Sequence, residues 1–383
     1  FHLVILYILL YGVCYMKFRL FNYNSGFRIV SLALDIDTFN DLKEDKLDYI
    51  YVCDNRITLY PDTTELYIED DKVRVFSCFN NYDVFIIDED GSVIICYDNS
   101  SNENSFFISG KCNSNCIMCP SPDITRINGK NSNIGDLIEI AKHIPITTEH
   151  ITITGGEPFM VGESIFKLFE YFKSKFANTE FLLLTNGRIF AVDKYLNKFV
   201  ETAPNNIIVG IPIHGSCFNI HDYITRAKNS FNQTLFGVKR LLANKIKVEL
   251  RIVVNKINAN DIYEISKLIN KELHDVFYVS IIAMEMTGNA YKNSSEVWIP
   301  YRESFNYVEG AIDNLIENGI DVKLYNFPIC TVKRKYWTLC EKSISSYKIK
   351  FDDKCKICGM KEYCGGLFRG TYKIERNELN PII

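Results

Sequence analysis

From Ser105 onward the chain alternates strand-like and helix-like patterns, and that alternation restricts the possible folds more than any other feature of its 383 residues. Strand candidates are Phe106–Ser109, His150–Thr154, Phe181–Thr185, Ile207–Ile213, Lys247–Asn255 and Val276–Met284. Between them, Ile134, Leu137, Ile138, Ala141 and Ile144 share one helical face, as do Ile165, Leu168, Phe169, Phe172 and Phe176. Further helices are expected at Leu235–Ala243, at Ile262–Ile269 behind a possible Asn260 cap, and at Phe305–Ile316. Strands that alternate with helices build a parallel sheet covered by those helices. Six such units suit a partial, six-stranded parallel barrel of the α/β class. In the strand Lys247–Asn255 the residues Val248, Leu250, Ile252 and Val254 share one face, and Glu249, Arg251 and Asn255 the other. A barrel wrapped by helices needs its apolar face outward. The charged face, with Thr152, Thr154, Pro212 and His214, then looks into a ligand space. The alternative is a solvated edge strand.

Four segments are expected. Residues 1–16 form an almost wholly apolar leader, too short for the roughly twenty residues of a membrane helix and without the basic start or cleavage site of a secretory signal. Met16-Lys17 would make a natural start, and a short anchor is the lesser alternative. Residues 17–103 form a β-rich amino-terminal module. Phe27–Ala33, Asp48–Cys53 and Val73–Cys78 alternate there, and Asp83–Asp88 and Ser92–Tyr97 flank an Asp-Gly turn. Cys53, Cys78 and Cys96 within these runs are expected to be buried free thiols. Residues 104–325 hold the barrel, and 326–383 form a cysteine-bearing carboxyl-terminal module.

A net charge of −4 gives no basic footprint for nucleic acid. The thirteen cysteines concentrate at 112–119 and 330–364 rather than spreading as a disulfide framework. That distribution favours metal clusters in a reducing, cytoplasmic compartment, with no membrane partner.

Cys112, Cys116 and Cys119 stand in C-x3-C-x2-C spacing. Three thiolates on one loop can hold three irons of a four-iron cube and leave the fourth open to chemistry. Gly155-Gly156-Glu157-Pro158 closes the strand His150–Thr154, so both motifs fall at the carboxyl ends of strands, where parallel barrels place reactive loops. Together they resemble the radical S-adenosylmethionine (SAM) superfamily. The resemblance implies a [4Fe-4S] cluster on the three cysteines and SAM chelating the open iron. It also implies that Gly155–Pro158 contact the SAM amino group, with the glycines allowing close backbone approach. One electron then cleaves SAM to methionine and a 5′-deoxyadenosyl radical, which takes a hydrogen from substrate. Met118 would pack on adenine, Asn186 of Thr185-Asn186-Gly187 would line the pocket, and Arg251 would meet the SAM carboxylate. For these the alternatives are a plain turn and a structural ion pair. His214, His221 and Asp222 are either substrate contacts or structural groups.

Cys330, Cys340, Cys355, Cys358 and Cys364 make up the carboxyl-terminal set. Its C-x2-C-x5-C part resembles the twitch or SPASM-type half-module that holds an auxiliary [4Fe-4S] cluster in radical SAM peptide maturases. The ligands would be Cys330, Cys355, Cys358 and Cys364, with Cys340 as substitute for Cys330; structural zinc is the alternative. Asn104–Cys112, Tyr325–Cys330 and Ser343–Ser345 narrow the resemblance to His-Xaa-Ser system maturases of the HxsC type. That family implies a His-Xaa-Ser precursor peptide, a second radical SAM maturase and a reduced donor such as flavodoxin or ferredoxin. Competing functions are a radical SAM enzyme acting on a small molecule or RNA, and a non-enzymatic iron–sulfur electron carrier. The amino-terminal module is either a plain solvated β-module or a docking site that takes the peptide as an added strand on an exposed edge. Its acidic residues Asp62, Glu65, Glu69, Asp70 and Asp71 would favour a basic peptide.

Overall fold

The computed structural model describes residues 18–68, 73–121, 129–345 and 348–383. The apolar leader lies outside them, as do Glu69, Asp70 and Asp71. Among the described residues no helix is long and apolar enough to cross a membrane.

The first seven strands are β1 (Phe18–Phe21), β2 (Arg28–Ala33), β3 (Tyr49–Cys53), β4 (Arg56–Tyr60), β5 (Thr64–Ile68), β6 (Val84–Ile87) and β7 (Ser92–Tyr97). They close into a barrel in the order β1-β5-β4-β3-β2-β6-β7, with β7 pairing back onto β1. Helix α1 (Ile36–Glu44) joins the parallel strands β2 and β3, and the Asp35 side chain caps it by accepting the Thr38 N–H at 2.8 Å. Val30, Leu32, Ile50, Leu59, Phe85 and Val93 fill the interior, so the barrel is a packed core rather than a container. The β6–β7 turn needs Gly91 at φ +80°, where a Cβ would also strike the Leu20 carbonyl.

Three expectations fail in this region. Val73–Cys78 forms a 3-10 turn rather than a strand. Three residues per turn bring Phe76 and Phe79 onto one side, where both rings meet Phe18. Cys53 and Cys78 are exposed, because Cys53 ends its strand at a tight turn through Asp54 and Asn55. Only Cys96 of the three is partly buried, its thiol pushed upward by desolvation and donating to the Val84 carbonyl at 3.3 Å. Closure also removes the free edges that strand addition requires, so the described barrel offers no edge to a peptide.

The remaining strands form an eight-stranded parallel sheet whose spatial order is the sequence order. They are β8 (Ser105–Phe107), β9 (His150–Thr154), β10 (Glu180–Leu184), β11 (Ile207–Pro212), β12 (Lys247–Val254), β13 (Tyr278–Ala283), β14 (Val322–Tyr325) and β15 (Cys340–Glu341). The alternation in the sequence accounts for six of these. The last two, of four and two residues, are too short to show a period. The covering helices include α2 (Ile134–His143), α3 (Ile165–Lys175), α4 (Asp193–Thr202), α5 (Phe218–Thr225), α6 (Ser230–Ala243) and α7 (Ile262–Glu272). Asn260 does not cap α7; it sits inside a 3-10 turn, Ala259–Asp261, that leads into the helix. Three more helices follow: α8 (Gly288–Lys292), α9 (Ser294–Val297) and α10 (Tyr301–Glu317).

Strand β12 pairs on both sides, with β11 and with β13, so it is not an edge. Its residues Val248, Leu250, Ile252 and Val254 join the helix-facing core. Glu249 and Arg251 face the other side, where Arg251 Nη1 and Ser280 Oγ donate to Glu249 Oε1 at 2.6 and 2.5 Å. The small barrel is fastened to this sheet by buried polar pairs: Ser31 Oγ with His143 Nδ1 at 2.9 Å, and Tyr97 OH with Thr148 Oγ1 at 2.7 Å. At the carboxyl-terminal end, β16 (Ile349–Lys350) and β17 (Leu367–Phe368) pair antiparallel ahead of α11 (Arg369–Glu375).

Candidate functional site

Residues 112–119 leave the end of β8 as a loop with little secondary structure of its own, and its backbone bonds go to three distant segments. Asn115 N donates to the Thr225 carbonyl at 3.1 Å and Ile117 N to the Ile224 carbonyl at 2.8 Å, both on α5. Asn289, buried on α8, donates its backbone N–H to Cys119 O at 2.9 Å and its amide to Cys116 O at 2.9 Å. Asn293 Nδ2 reaches Ile117 O at 2.8 Å. The segments that follow β11 and β13 thus touch the loop that follows β8, which requires the sheet to curl until its distant strand ends share one rim.

The third attachment comes from Thr185-Asn186-Gly187-Arg188. Asn186 Nδ2 donates to Asn113 Oδ1 at 2.6 Å, and Arg188 Nη1 donates to Asn113 O at 3.0 Å and Ser114 Oγ at 3.2 Å. The side-chain amide of Asn186 thus reaches the cysteine loop, while its backbone N–H goes to Glu157. Among the described residues, no periodicity or motif marked Asn289, Asn293 or Arg188. They are single polar side chains whose importance arises only from where the fold carries them.

Gly155-Gly156-Glu157 runs directly against the entry to the loop. Gly156 N donates to Ser109 O at 2.6 Å and Glu157 N to Lys111 O at 2.8 Å. A Cβ on Gly155 would lie 2.5 Å from Ser109 O, and one on Gly156 2.5 Å from Lys111 O. The two glycines are thus required by backbone packing against residues 109–111, a closer cause than approach to a ligand. Glu157 is 2% exposed, and its carboxylate accepts from Thr185 Oγ1 and Asn186 N, each at 2.8 Å, and from Phe159 N at 3.2 Å. Burial pushes its carboxyl upward, and these donors pull it back. Phe159 anchors the same turn from behind, its ring 5.3 Å from that of Phe190 in an edge-on arrangement. One carboxylate and one aromatic pair therefore lock the second and third strand ends together.

The Cys112 thiol accepts the Ser114 N–H at 3.4 Å. Burial pushes it up to about 11, and the nearby Glu157 and Cys119 add to that. Arg188, bonded to the same loop, opposes that rise, and the loop's three partly buried thiols are a donor set that fits an iron–sulfur core. Met118 is 5% exposed and packs with Ile117, Ile224, Met284 and Met286. Arg251 is held by Glu249 and lies over the Tyr325 ring at 5.7 Å.

His221 and Asp222 bond to neighbouring elements, while the His214 ring is buried with its Nδ1 unpartnered. The His214 backbone N–H donates to His221 Nδ1 at 3.2 Å. The Asp222 carboxylate caps α6 through Asn229 N, Ser230 Oγ and Phe231 N at 2.6 to 2.8 Å. Burial lowers the pKa of His143 to about 4, of His214 to about 3 and of His221 to about 4, from an ordinary value of 6.5. Between those values and 6.5 the unfolded chain binds protons that the fold refuses. Their stabilisation is complete above pH 6.5 and is lost as the pH falls. At pH 5 the loss is about 2 kcal/mol for each imidazole. Denaturant titration followed by tryptophan fluorescence should show a markedly lower midpoint at pH 5 than at pH 7. Equal midpoints would mean that the imidazoles are not held neutral.

Cys330, Cys355, Cys358 and Cys364 line one open pocket, together with Pro328, Phe351, Met360, Asn380 and Ile382. Cys340 does not line it; its thiol points to the Tyr336 carbonyl at 3.9 Å. Cys364 accepts the Gly366 N–H and Cys358 the Ile382 N–H, both at 3.4 Å. No three His, Cys, Asp or Glu side chains among the described residues are spaced to hold a single metal ion. Residues 286–289 join the cysteine loop to α11. Met286 N donates to Thr371 Oγ1 at 3.1 Å on α11, while Asn289 clamps the cysteine loop.

Comparison with known proteins agrees with this arrangement. A family model described as the radical SAM superfamily matches residues 106–269. A cysteine-type anaerobic sulfatase-maturating enzyme of Clostridium novyi (strain NT) is 30% identical over 179 residues, covering 43% of this chain and 46% of that protein. The chain thus spans about half the length of that curated relative. The solved structure of native anSMEcpe with bound AdoMet and Cp18Cys peptide superimposes with a TM-score of 0.51 at 15% identity, covering 71% of this chain and 90% of the other, a likeness of fold. Streptococcus suis SuiB bound to precursor peptide SuiA gives a TM-score of 0.47 at 12% identity, over 58% of this chain and 48% of that one. Residues 106–269, which carry the cysteine loop and the turns that hold it, are thus the part of the chain that is similar to the radical SAM superfamily.

Proposed function

We propose that this protein is a radical SAM enzyme that modifies a ribosomally synthesised peptide of the His-Xaa-Ser type, on a partial α/β barrel with an auxiliary-cluster module. The observation that carries the reading is the fastening of the C-x3-C-x2-C loop to the Gly155–Glu157 and Thr185–Arg188 turns at one rim. Cys112, Cys116 and Cys119 hold a [4Fe-4S] cluster there. Gly155, Gly156, Glu157 and Pro158 shape the SAM site, with Met118 and Asn186 supporting it from the loop side. Arg251 has donors beyond the one given to Glu249, which suits it to a carboxylate. The bound cluster supplies the single electron that cleaves SAM. The chain's own contribution is to fix the loop, order the rim and keep reactive species from water.

Cys330, Cys355, Cys358 and Cys364 hold a second [4Fe-4S] cluster. The four thiols line one pocket, which supports a single group held by all four. The implied partners are a precursor peptide, a second maturase and a reduced flavodoxin or ferredoxin. The Clostridium novyi protein is described as a sulfatase-maturating enzyme, which supports a macromolecular substrate.

Anaerobic reconstitution should give about eight irons per chain, four per cube. Cys330→Ala should lower the count to about four, and Cys340→Ala should leave it near eight. About four irons with one zinc in the unsubstituted protein would return the second site to a structural role. Incubation with a His-Xaa-Ser repeat peptide and SAM should produce a mass change in the peptide. An unmodified peptide alongside active SAM cleavage would redirect the substrate assignment.

A further inference from the structure

Each of the four thiols around the carboxyl-terminal pocket accepts a backbone N–H, and such donors suit sulfur held as thiolate rather than thiol. Cys364 takes its donor from Gly366 and Cys355 from Asp352, bonds that the cysteine loops make with themselves. Cys358 and Cys330 take theirs from a distant segment, Leu379–Ile382, which lines the same pocket. Ile382 N donates to Cys358 Sγ at 3.4 Å across 24 positions of sequence. Burial pushes the Cys330 thiol up, and the Asn380 backbone N–H bonded to it draws it back down. The segment is fixed on both sides of these donors. Leu379 is buried in the core, and the Ile382 carbonyl accepts the Gly359 N–H at 2.8 Å. Arg302 Nη2 donates to the Cys330 carbonyl at 2.8 Å and to the Glu378 carbonyl at 3.3 Å. One guanidinium thus ties the segment to a cysteine that it serves.

We propose that Leu379–Ile382 is a strap that sets the reduction potential of the group held by Cys330, Cys355, Cys358 and Cys364. The inference rests on the reading of that pocket as an iron–sulfur site and gives a role to residues outside the cysteines. A cluster that has gained one electron spreads part of the added negative charge onto its thiolate sulfurs. An N–H aimed at such a sulfur stabilises the reduced form more than the oxidised one, so the potential rises. Because the strap is anchored at both ends, its donors are already in place and need no reorganisation when the electron arrives. The donors of Asp352 and Gly366 cannot be removed without reshaping the cysteine loops. Those of Asn380 and Ile382 can, because proline deletes the N–H and keeps the carbonyl.

The test uses the full chain with Cys112, Cys116 and Cys119 replaced by Ala, so that iron is held by the second site alone. An anaerobic potentiometric titration is followed by electron paramagnetic resonance. Ile382→Pro should lower the equilibrium constant for one-electron reduction about tenfold, a downward shift of about 59 mV. Asn380→Pro should move the potential in the same direction. Ile382→Ala keeps the N–H, and its equilibrium constant should stay within about twofold of the parent. Unmoved potentials in both proline variants, with iron retained, overturn the proposal. So does an equal shift in Ile382→Pro and Ile382→Ala, which would make cover by the side chain the cause. Loss of iron from both proline variants but not from Ile382→Ala also overturns it, because the bonds would then hold the group instead of tuning it. A parent that binds no iron would refute the cluster reading itself, which separates the two failures.

Discussion

Alanine at Cys112, Cys116 and Cys119 together should abolish 5′-deoxyadenosine formation and remove about four of eight irons, leaving those of the carboxyl-terminal site. All three thiols lie on one loop, and they follow a strand end whose backbone is bonded to the glycines of a second strand end. Without its metal ligands the loop keeps its attachments to Asn289, Asn293 and Arg188. The variant should therefore fold, and loss of activity should not reflect loss of structure. The check is iron content and product formation on the same anaerobic sample. Remaining SAM cleavage with four irons retained would place the reactive cluster at the other cysteines.

Glu157→Ala should have the next largest effect. The substitution strands Thr185 Oγ1 and the N–H groups of Asn186 and Phe159 in a buried place. Each unmet buried partner costs on the order of 1–3 kcal/mol, so the local loss is about 3–5 kcal/mol once Thr185 finds another acceptor. It falls on the turn that holds Asn186 and Arg188 against the cysteine loop. SAM affinity and cluster retention should drop together, and denaturant stability should fall with them. Glu157→Gln keeps one acceptor oxygen and should lie between the two. A Glu157→Ala protein with undiminished SAM affinity would mean that the carboxylate does not organise the rim.

Much of the parallel sheet was legible because its strands and helices carry complete periods. His150–Thr154 alternates over the length of its strand, and Ile165, Leu168, Phe169 and Phe172 mark one face of α3. β14 and β15 are too short for a period to register, and α4 and α5 follow irregular turns. The run Val73–Cys78 misled because Val, Phe and Cys satisfy a strand pattern. The demand it meets is for Phe76 and Phe79 to plug one barrel. Closure of that barrel was not readable at all, since β1 and β5 pair Leu20 with Ile68, 48 positions apart, without a local signal.

At the site, motifs marked the candidate residues and hid those that hold them in place. The glycines of Gly155-Gly156 could be picked out, yet their nearest constraint is the backbone of Ser109–Lys111. Asn289 and Asn293 look ordinary in sequence, and only the curl of the sheet brings them to the cysteine loop. His214 and His221 drew notice as titratable groups but are buried and neutral.

The central claim is that this rim cleaves SAM reductively. The most direct measurement is anaerobic incubation of the reconstituted chain with SAM and dithionite, followed by chromatography of the products. The account predicts 5′-deoxyadenosine and methionine in equal amounts, with no formation when reductant is omitted. Intact SAM after incubation with protein that carries its full iron would contradict it.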